Sequence, residues 1–502
     1  MELIWNEINA LQLILHSAEQ EELEGELPLP AGRTAAEILD YSAQVTVDGC
    51  RLESGRMSVD GRITATLLAV DDAGDTFSFV SESPFSHSLV NAALESGMLG
   101  EASASLTLLS VRRAPDGRLL LSAVIDLDCF VTSAASLRTL GGVSGVRDME
   151  LKTRTASLTR RKELGSAIIS VSDELSSGGA DTVLTSRVRL SVRDTAFENG
   201  GVTVTGTASV SALCKSADGE LLQLVRSIPF RESVQTDGMA DDVYATAELR
   251  SSSVRALGTE FSLIAVEAAV ELRVFALRTE ELVLPLDAFS PSINFNCIRR
   301  ETELLSPLGQ SELTHTVREN LPVPDGMVDI FTALSVSARP VVTSSRVVGS
   351  ELQLEGLLPT CVVYRTGGGK LDSFSDEVPF SLRMAAPAGA EFARVAADCS
   401  CSVTGGSGRA AQITYSIDCS AEFYGLLSTE LAVGLAEQNA ANKGAENFVP
   451  EAFSGLIIHT ASEEETVFDV AKRFRIPSAR VRELNPECAD RFNEGTKVLL
   501  IV

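Results

Sequence analysis

The segment from Gly61 to Phe85 recurs, without insertion or deletion, from Gly206 to Phe230 and from Gly356 to Phe380. Each copy opens on a glycine, carries a second glycine at Gly74, Gly219 or Gly369, and closes on a Pro-Phe pair, Pro84-Phe85, Pro229-Phe230 or Pro379-Phe380. The copies are offset by 145 and 150 residues, which is the length of a domain and far beyond that of a solenoid repeat. A chain of 502 residues is also too long for one hydrophobic core. The repeat therefore divides the chain into three units, each large enough to bury its own core, plus a remainder.

The copies read as strands. In the second, Val202, Val204, Ala208, Val210, Ala212 and Cys214 alternate with threonines and serines, a period of two that puts the apolar set on one face. The register carries over to Met57, Val59, Ile63, Ala65, Leu67 and Ala69 and to Leu352, Leu354, Leu358, Thr360, Val362 and Tyr364, where only Thr360 breaks the apolar set. Gly74, Gly219 and Gly369 then supply the positive φ of a tight hairpin. Gly367-Gly368-Gly369-Lys370 is read as such a turn and not as a phosphate loop, since no Ser or Thr follows the lysine. A further alternating strand ends each unit, through Leu121–Cys129, Ile264–Val274 and Ile413–Phe423. It places Cys129 and Cys419 on core faces, as the earlier strand does Cys214; Cys399 and Cys401 share one strand face and are also read as core thiols. Leu27-Pro28-Leu29-Pro30 and Leu321-Pro322-Val323-Pro324 read as stiff extended lead-ins that begin their units. The fold expected is mainly β, with three tandem antiparallel sandwich- or barrel-like domains of about seven or eight strands each. We place them at 1–138, 139–285 and 286–428, followed by an Ala-, Gly- and Asn-rich linker at 429–454 and a last module at 455–502.

The balance of 42 basic against 69 acidic residues gives a net charge of −27, which repels phosphate backbones and anionic lipid, so nucleic acid is not an expected partner. The N-terminus lacks a basic signal region and no apolar run spans a bilayer, so no transmembrane segment is expected. Nine cysteines without a Cys-x-x-Cys pair read as thiols of a reducing compartment. His16, His87, His315 and His459 fall in no nucleophile, zinc or metalloprotease motif, so no catalytic residue, metal or cofactor is assigned and a non-enzymatic protein is expected.

The last module changes character. Leu456 to Thr460 reads as a strand, Thr466-Val-Phe-Asp469 as a capping box opening a helix, Ser478 as the cap of a second helix ended by Asn485-Pro486, and Lys497 to Ile501 as a final strand. This βααβ order, with Thr466, Ile476-Pro477, Leu484-Asn485-Pro486, Gly495 and Val498 to Ile501 matching, resembles the LysM module. Glu464 and Glu465 stand where that module has Gly-Asp, and Phe468 where Trp is common. Triplicated units with a Leu-Pro entry, a central glycine, a hairpin glycine and a Pro-Phe, followed by LysM, resemble the SPOCS (DUF3794) proteins of spore-forming Firmicutes, and among them the spore-coat morphogenetic type. The resemblance implies a scaffold or adaptor in the mother-cell cytoplasm, at the forespore surface, that binds the coat basement-layer ATPase and tethers the coat. The module offers two kinds of candidate contact residue. Lys472, Arg473, Arg475, Arg480 and Arg482 form a basic ridge in a module of seven basic and eight acidic side chains, which reads either as a solvated face with cations at a helix C-terminus or as a dock for an acidic protein surface. Glu464, Glu465, Thr466, Asn485 and Pro486 lie on the side where LysM modules hold N-acetylglucosamine polymers, and an alternative is a peptidoglycan-binding wall or cortex protein. A LysM-targeted hydrolase is the third reading.

Overall fold

A computed structural model of the chain describes residues 2–134, 136–198, 200–236, 242–257, 263–437 and 455–501. It is mainly β, built of antiparallel sheets, with two short helices among the described residues. In the first unit a short β1 (Leu3–Ile8) precedes β2 (Leu11–Leu27), β3 (Glu37–Glu53), β4 (Arg56–Val70), β5 (Thr76–Val90), β6 (Leu99–Arg113), β7 (Leu119–Ser133) and a short β8 (Leu137–Val143). The second runs through β9 (Glu150–Ser176), β10 (Ala180–Glu198), β11 (Gly201–Ser216), β12 (Leu221–Gln235), β13 (Val243–Ala256) and β14 (Leu263–Phe289). The third comprises β15 (Phe295–Pro322), β16 (Ile330–Ala338), β17 (Val341–Val348), β18 (Glu351–Thr366), β19 (Leu371–Ala385), β20 (Phe392–Ser407) and β21 (Ala410–Glu437).

One plan serves all three. A sheet of three strands, β3-β4-β5 or β10-β11-β12, packs over a second set, β6-β7-β2 or β13-β14-β9; in the third unit β16 and β17 together take the place of β3 beside β18 and β19, over β20-β21-β15. The sandwich thus has six strand positions: with β1 and β8 counted the first unit has eight strands and the third has seven, within the expected seven or eight, while the second has six, all much longer than a typical strand. β16 and β17 separate at Arg339-Pro340, where proline has no N–H for the ladder. The Leu-Pro segments do not begin their units. β2 ends at Leu27 and β15 at Pro322, after pairing with β7 and β21, so these segments mark the crossover from one sheet to the other.

Side-chain burial follows the period of two. The named faces of β4, β11 and β18 are buried, and Thr360 meets its polar cost locally, donating to the Leu358 carbonyl and accepting from Tyr415. Gly74, Gly219 and Gly369 take φ of 82°, 82° and 83° in their hairpins. The opening glycines serve a different need. Gly61 pairs directly across the ladder with Phe85, Gly206 with Phe230 and Gly356 with Phe380. A Cβ on Gly61 would lie 2.5 Å from both the Phe85 ring and the Thr46 carbonyl, and Gly206 and Gly356 are closed in by the same kinds of atom. The ring covers a bare backbone, which explains why the glycine and the Pro-Phe recur together. Thr46, Ser191 and Val341 stand beside β-bulges that fall at the same register in each unit, after Val47, Val192 and Val342.

The units close into a ring about a pseudo-threefold axis. Ser78 Oγ donates to the Leu184 carbonyl, Gln223 Nε2 to that of Val336, and Cys361 Sγ to that of Leu39, so each unit bonds the next and the third bonds the first. On the axis, Leu39, Leu68, Leu213, Leu221 and Val363 form an apolar plug. The outer halves of β9/β14 and β15/β21 and the β1/β8 pair extend as three ribbon arms, which meet around Ile8, Leu137, Leu158, Leu284, Leu304 and Leu431. β2 also pairs with β15 at Leu11 and Leu305, joining the first and third units in one six-stranded sheet. These arms carry β14 to Phe289 and β21 to Glu437, beyond positions 285 and 428, so the first residues of the expected linker are strand; 438–454 lie outside the described residues.

Candidate functional site

The C-terminal module folds as β22 (Leu456–Thr460), α1 (Val467–Phe474), α2 (Ser478–Leu484) and β23 (Lys497–Ile501), with β22 antiparallel to β23. Thr466 caps α1 as its spacing predicts. Its hydroxyl accepts from Asp469 N at 3.3 Å, and the Asp469 carboxylate accepts from Thr466 N at 3.0 Å. Ser478 does not cap α2. It is the helix's first residue, preceded by Pro477 at the cap, and its backbone N–H donates to Glu150 Oε1 at 2.8 Å. Val470, Ala471, Val481, Val498 and Leu500 fill the module's core, together with one residue from outside it, Phe289 of β14.

That phenylalanine begins a dock that no local pattern announces. Glu150, Lys152, Asp287 and Phe289 are cross-strand neighbours at the tip of the β9/β14 arm. Phe289 meets Phe468 edge to face, with centroids 5.1 Å apart. Lys152 Nζ lies 2.9 Å from Asp469, and Lys472 Nζ 2.6 Å from Asp287. Burial by itself raises the Asp469 pKa, but the hydrogen bonds from Thr466 and Lys152 prevail and hold it below the ordinary carboxylate value. The module is thereby fixed to the second unit by two ion pairs, a backbone hydrogen bond and an aromatic contact. The sequence reading missed Lys152, Glu150, Asp287 and Phe289 because their partners lie hundreds of residues away.

The residues singled out in the module are therefore in differing situations. Lys472 is engaged at the dock. Arg473 Nη1 lies 2.9 Å from Glu465, which is only 7% exposed and also accepts from His459 Nε2 at 2.8 Å and from Ser462 N at 3.0 Å. Glu465 is thus a buried carboxylate held by Arg473 and His459 inside the module, where it was expected on the sugar-facing side; the same contact gives His459 a structural place. Glu464, at φ 63°, pairs with Arg491 in the exposed loop before α1. Asn485 donates to the Val481 and Leu499 carbonyls and accepts from Leu499 N, tying the end of α2 to β23, with Pro486 exposed after it. Arg480 and Arg482 are exposed and pair with Glu483 and Asp490, while Arg475, at φ 54°, caps the end of α1. The β22/β23 pair leaves Leu456, Ile458 and Ile501 exposed at 65%, 62% and 43%.

No family model, curated protein or solved structure matches this chain. No helix among the described residues is long and apolar enough to cross a membrane.

Proposed function

We propose that the chain is a non-enzymatic adaptor of spore-coat assembly, acting in the mother-cell cytoplasm at the forespore surface and binding the coat basement-layer ATPase through its C-terminal module. The observation that carries this reading is the asymmetry of the module. Its Phe468, Asp469 and Lys472 side meets the second unit, while Arg480, Arg482 and the apolar trio Leu456, Ile458 and Ile501 stay open to solvent. Exposed apolar side chains and solvent-facing arginines on the free surface of one module suit a protein interface. A glycan reading is less well supported, because the Thr466 hydroxyl, the Glu465 carboxylate and the Asn485 amide already have partners within the module.

The test is a pull-down and an association-rate measurement with the basement-layer ATPase. Arg480→Glu with Arg482→Glu is the suitable variant, since both side chains are exposed and their partners, Glu483 and Asp490, are exposed as well. Arg473→Glu is unsuitable, because it would strand the buried Glu465. The double variant should bind about tenfold or more weakly at low salt with its circular dichroism unchanged. Unchanged affinity would move the interface off the module, and sedimentation of the full chain with peptidoglycan would favour the glycan reading.

A further inference from the structure

Beside the apolar plug the ring leaves a cavity of about 610 Å³, within the range of roughly 300–1,000 Å³ usual for small-molecule sites. All three units line it. Leu68 and Leu213 of the plug form part of its wall, and the exposed Leu108, Ser186 and Asp376 sit at its rim. The repeat register shows what has been built here. Gln44, Arg189 and Arg339 are equivalent positions, as are Ser42, Arg187 and Ser337, so three arginines converge on the axis at places that the first unit fills with neutral side chains.

Arg189 is 9% exposed, and its Nη1 and Nη2 are buried without a hydrogen-bond partner. Buried polar groups are rarely left so, and a guanidinium fork is shaped for the paired oxygens of a carboxylate or phosphate. Acidic groups do stand nearby. Asp398 lies 3.0 Å from Arg187 and 3.7 Å from Arg189, and Asp418 lies 3.3 Å from Arg189. They do not complete the fork, and they offset two positive charges of the three. Arg339 donates to the Leu106 carbonyl, and its pKa is depressed by burial and then by the charge of Arg187. Asp40, which accepts from Ser337, has its pKa raised by burial. Asp376 and Glu377 are exposed at the rim, where water screens them.

We infer that this cavity binds a small molecule bearing a carboxylate or phosphate group, whose oxygens take the Arg189 fork and whose other polar atoms meet the hydroxyls of Thr185, Ser211 and Ser335. Because these contacts come from both the second and the third units, the ligand strengthens the junction between them as well as filling space. Isothermal titration of the full chain with inorganic phosphate and, separately, with citrate tests this, alongside the thermal midpoint. One saturable site per chain with a raised midpoint is expected for at least one probe, and the probe that binds assigns the anion class. Arg189→Gln should weaken it by about tenfold or more. Ser211→Leu, which fills the cavity and leaves every charge in place, should weaken it likewise and decides the matter if Arg189→Gln fails to fold. No binding by either probe, or binding that both variants retain, would overturn the site and leave the cavity as a water-filled junction.

Discussion

The plug and the cavity lie side by side on the same axis and use the same strands, yet they treat the repeat in opposite ways. At the plug the three copies agree: Leu39, Leu184 and Leu334 are equivalent, as are Leu68, Leu213 and Val363. One position further along the first of these strands they part into Asp40, Thr185 and Ser335, and beyond that into Gln44, Arg189 and Arg339. The plug must close a ring of near-identical units, and interlocking aliphatic side chains do so equally from each. A cavity at a symmetry axis is under no such demand. Its residues can diverge without loss of the fold, and divergence creates a site that no single unit could hold.

Five substitutions can break or sharpen this contrast. Phe230→Ala removes the ring that covers Gly206 and should destabilise the second sandwich by about 3–5 kcal/mol in denaturant unfolding. A loss below about 1 kcal/mol would mean that the shared Gly–Phe pair is not structural. Leu213→Ala opens the plug and should cost about 2–4 kcal/mol, with Val363→Ala costing less because fewer atoms are removed. Should Leu213→Ala prove nearly neutral, ring closure would rest on the arms instead. Asp40 belongs to the divergent set, and its effect depends on pH. Its folded pKa lies above the ordinary 3.8, so both states are protonated well below that value and the group adds no slope there. As pH rises past it, the unfolded chain ionises first and stability falls until the folded carboxyl ionises as well. Asp40→Asn should remove this fall, making the variant the relatively more stable form at neutral pH, and a midpoint-against-pH profile parallel to the parent's would refute the assignment. Asp287→Ala, at an arm tip without a counterpart in the plug, should cost the whole fold about 1 kcal/mol or less. It should nonetheless speed amide exchange in α1, and unchanged exchange would show that Lys472 does not hold the module.

The alternating faces, the hairpin glycines and the capping box at Thr466 were legible in the residues, because each depends on neighbours within a few positions. The six-strand count of the second unit was not, since long ladders such as β9/β14 look locally like two shorter strands. Nor was the fate of the candidate residues. Glu465 reads as an exposed acid from its neighbours, and only the fold brings His459 and Arg473 onto it. The cavity escaped notice for the same reason: Arg187 and Arg189 sit on a strand of ordinary polar alternation, and nothing nearby in the chain marks them as facing an axis.

By itself, then, the sequence determined three copies of one β-unit and a small βααβ module. Hydrophobic period and turn chemistry are local and leave few alternatives. Only the tertiary structure decided that the copies close into a ring, that the module rests on the second arm, and that three arginines share one cavity. Those outcomes depend on side chains separated by a hundred residues or more, whose burial and pairing are settled by how the finished units pack.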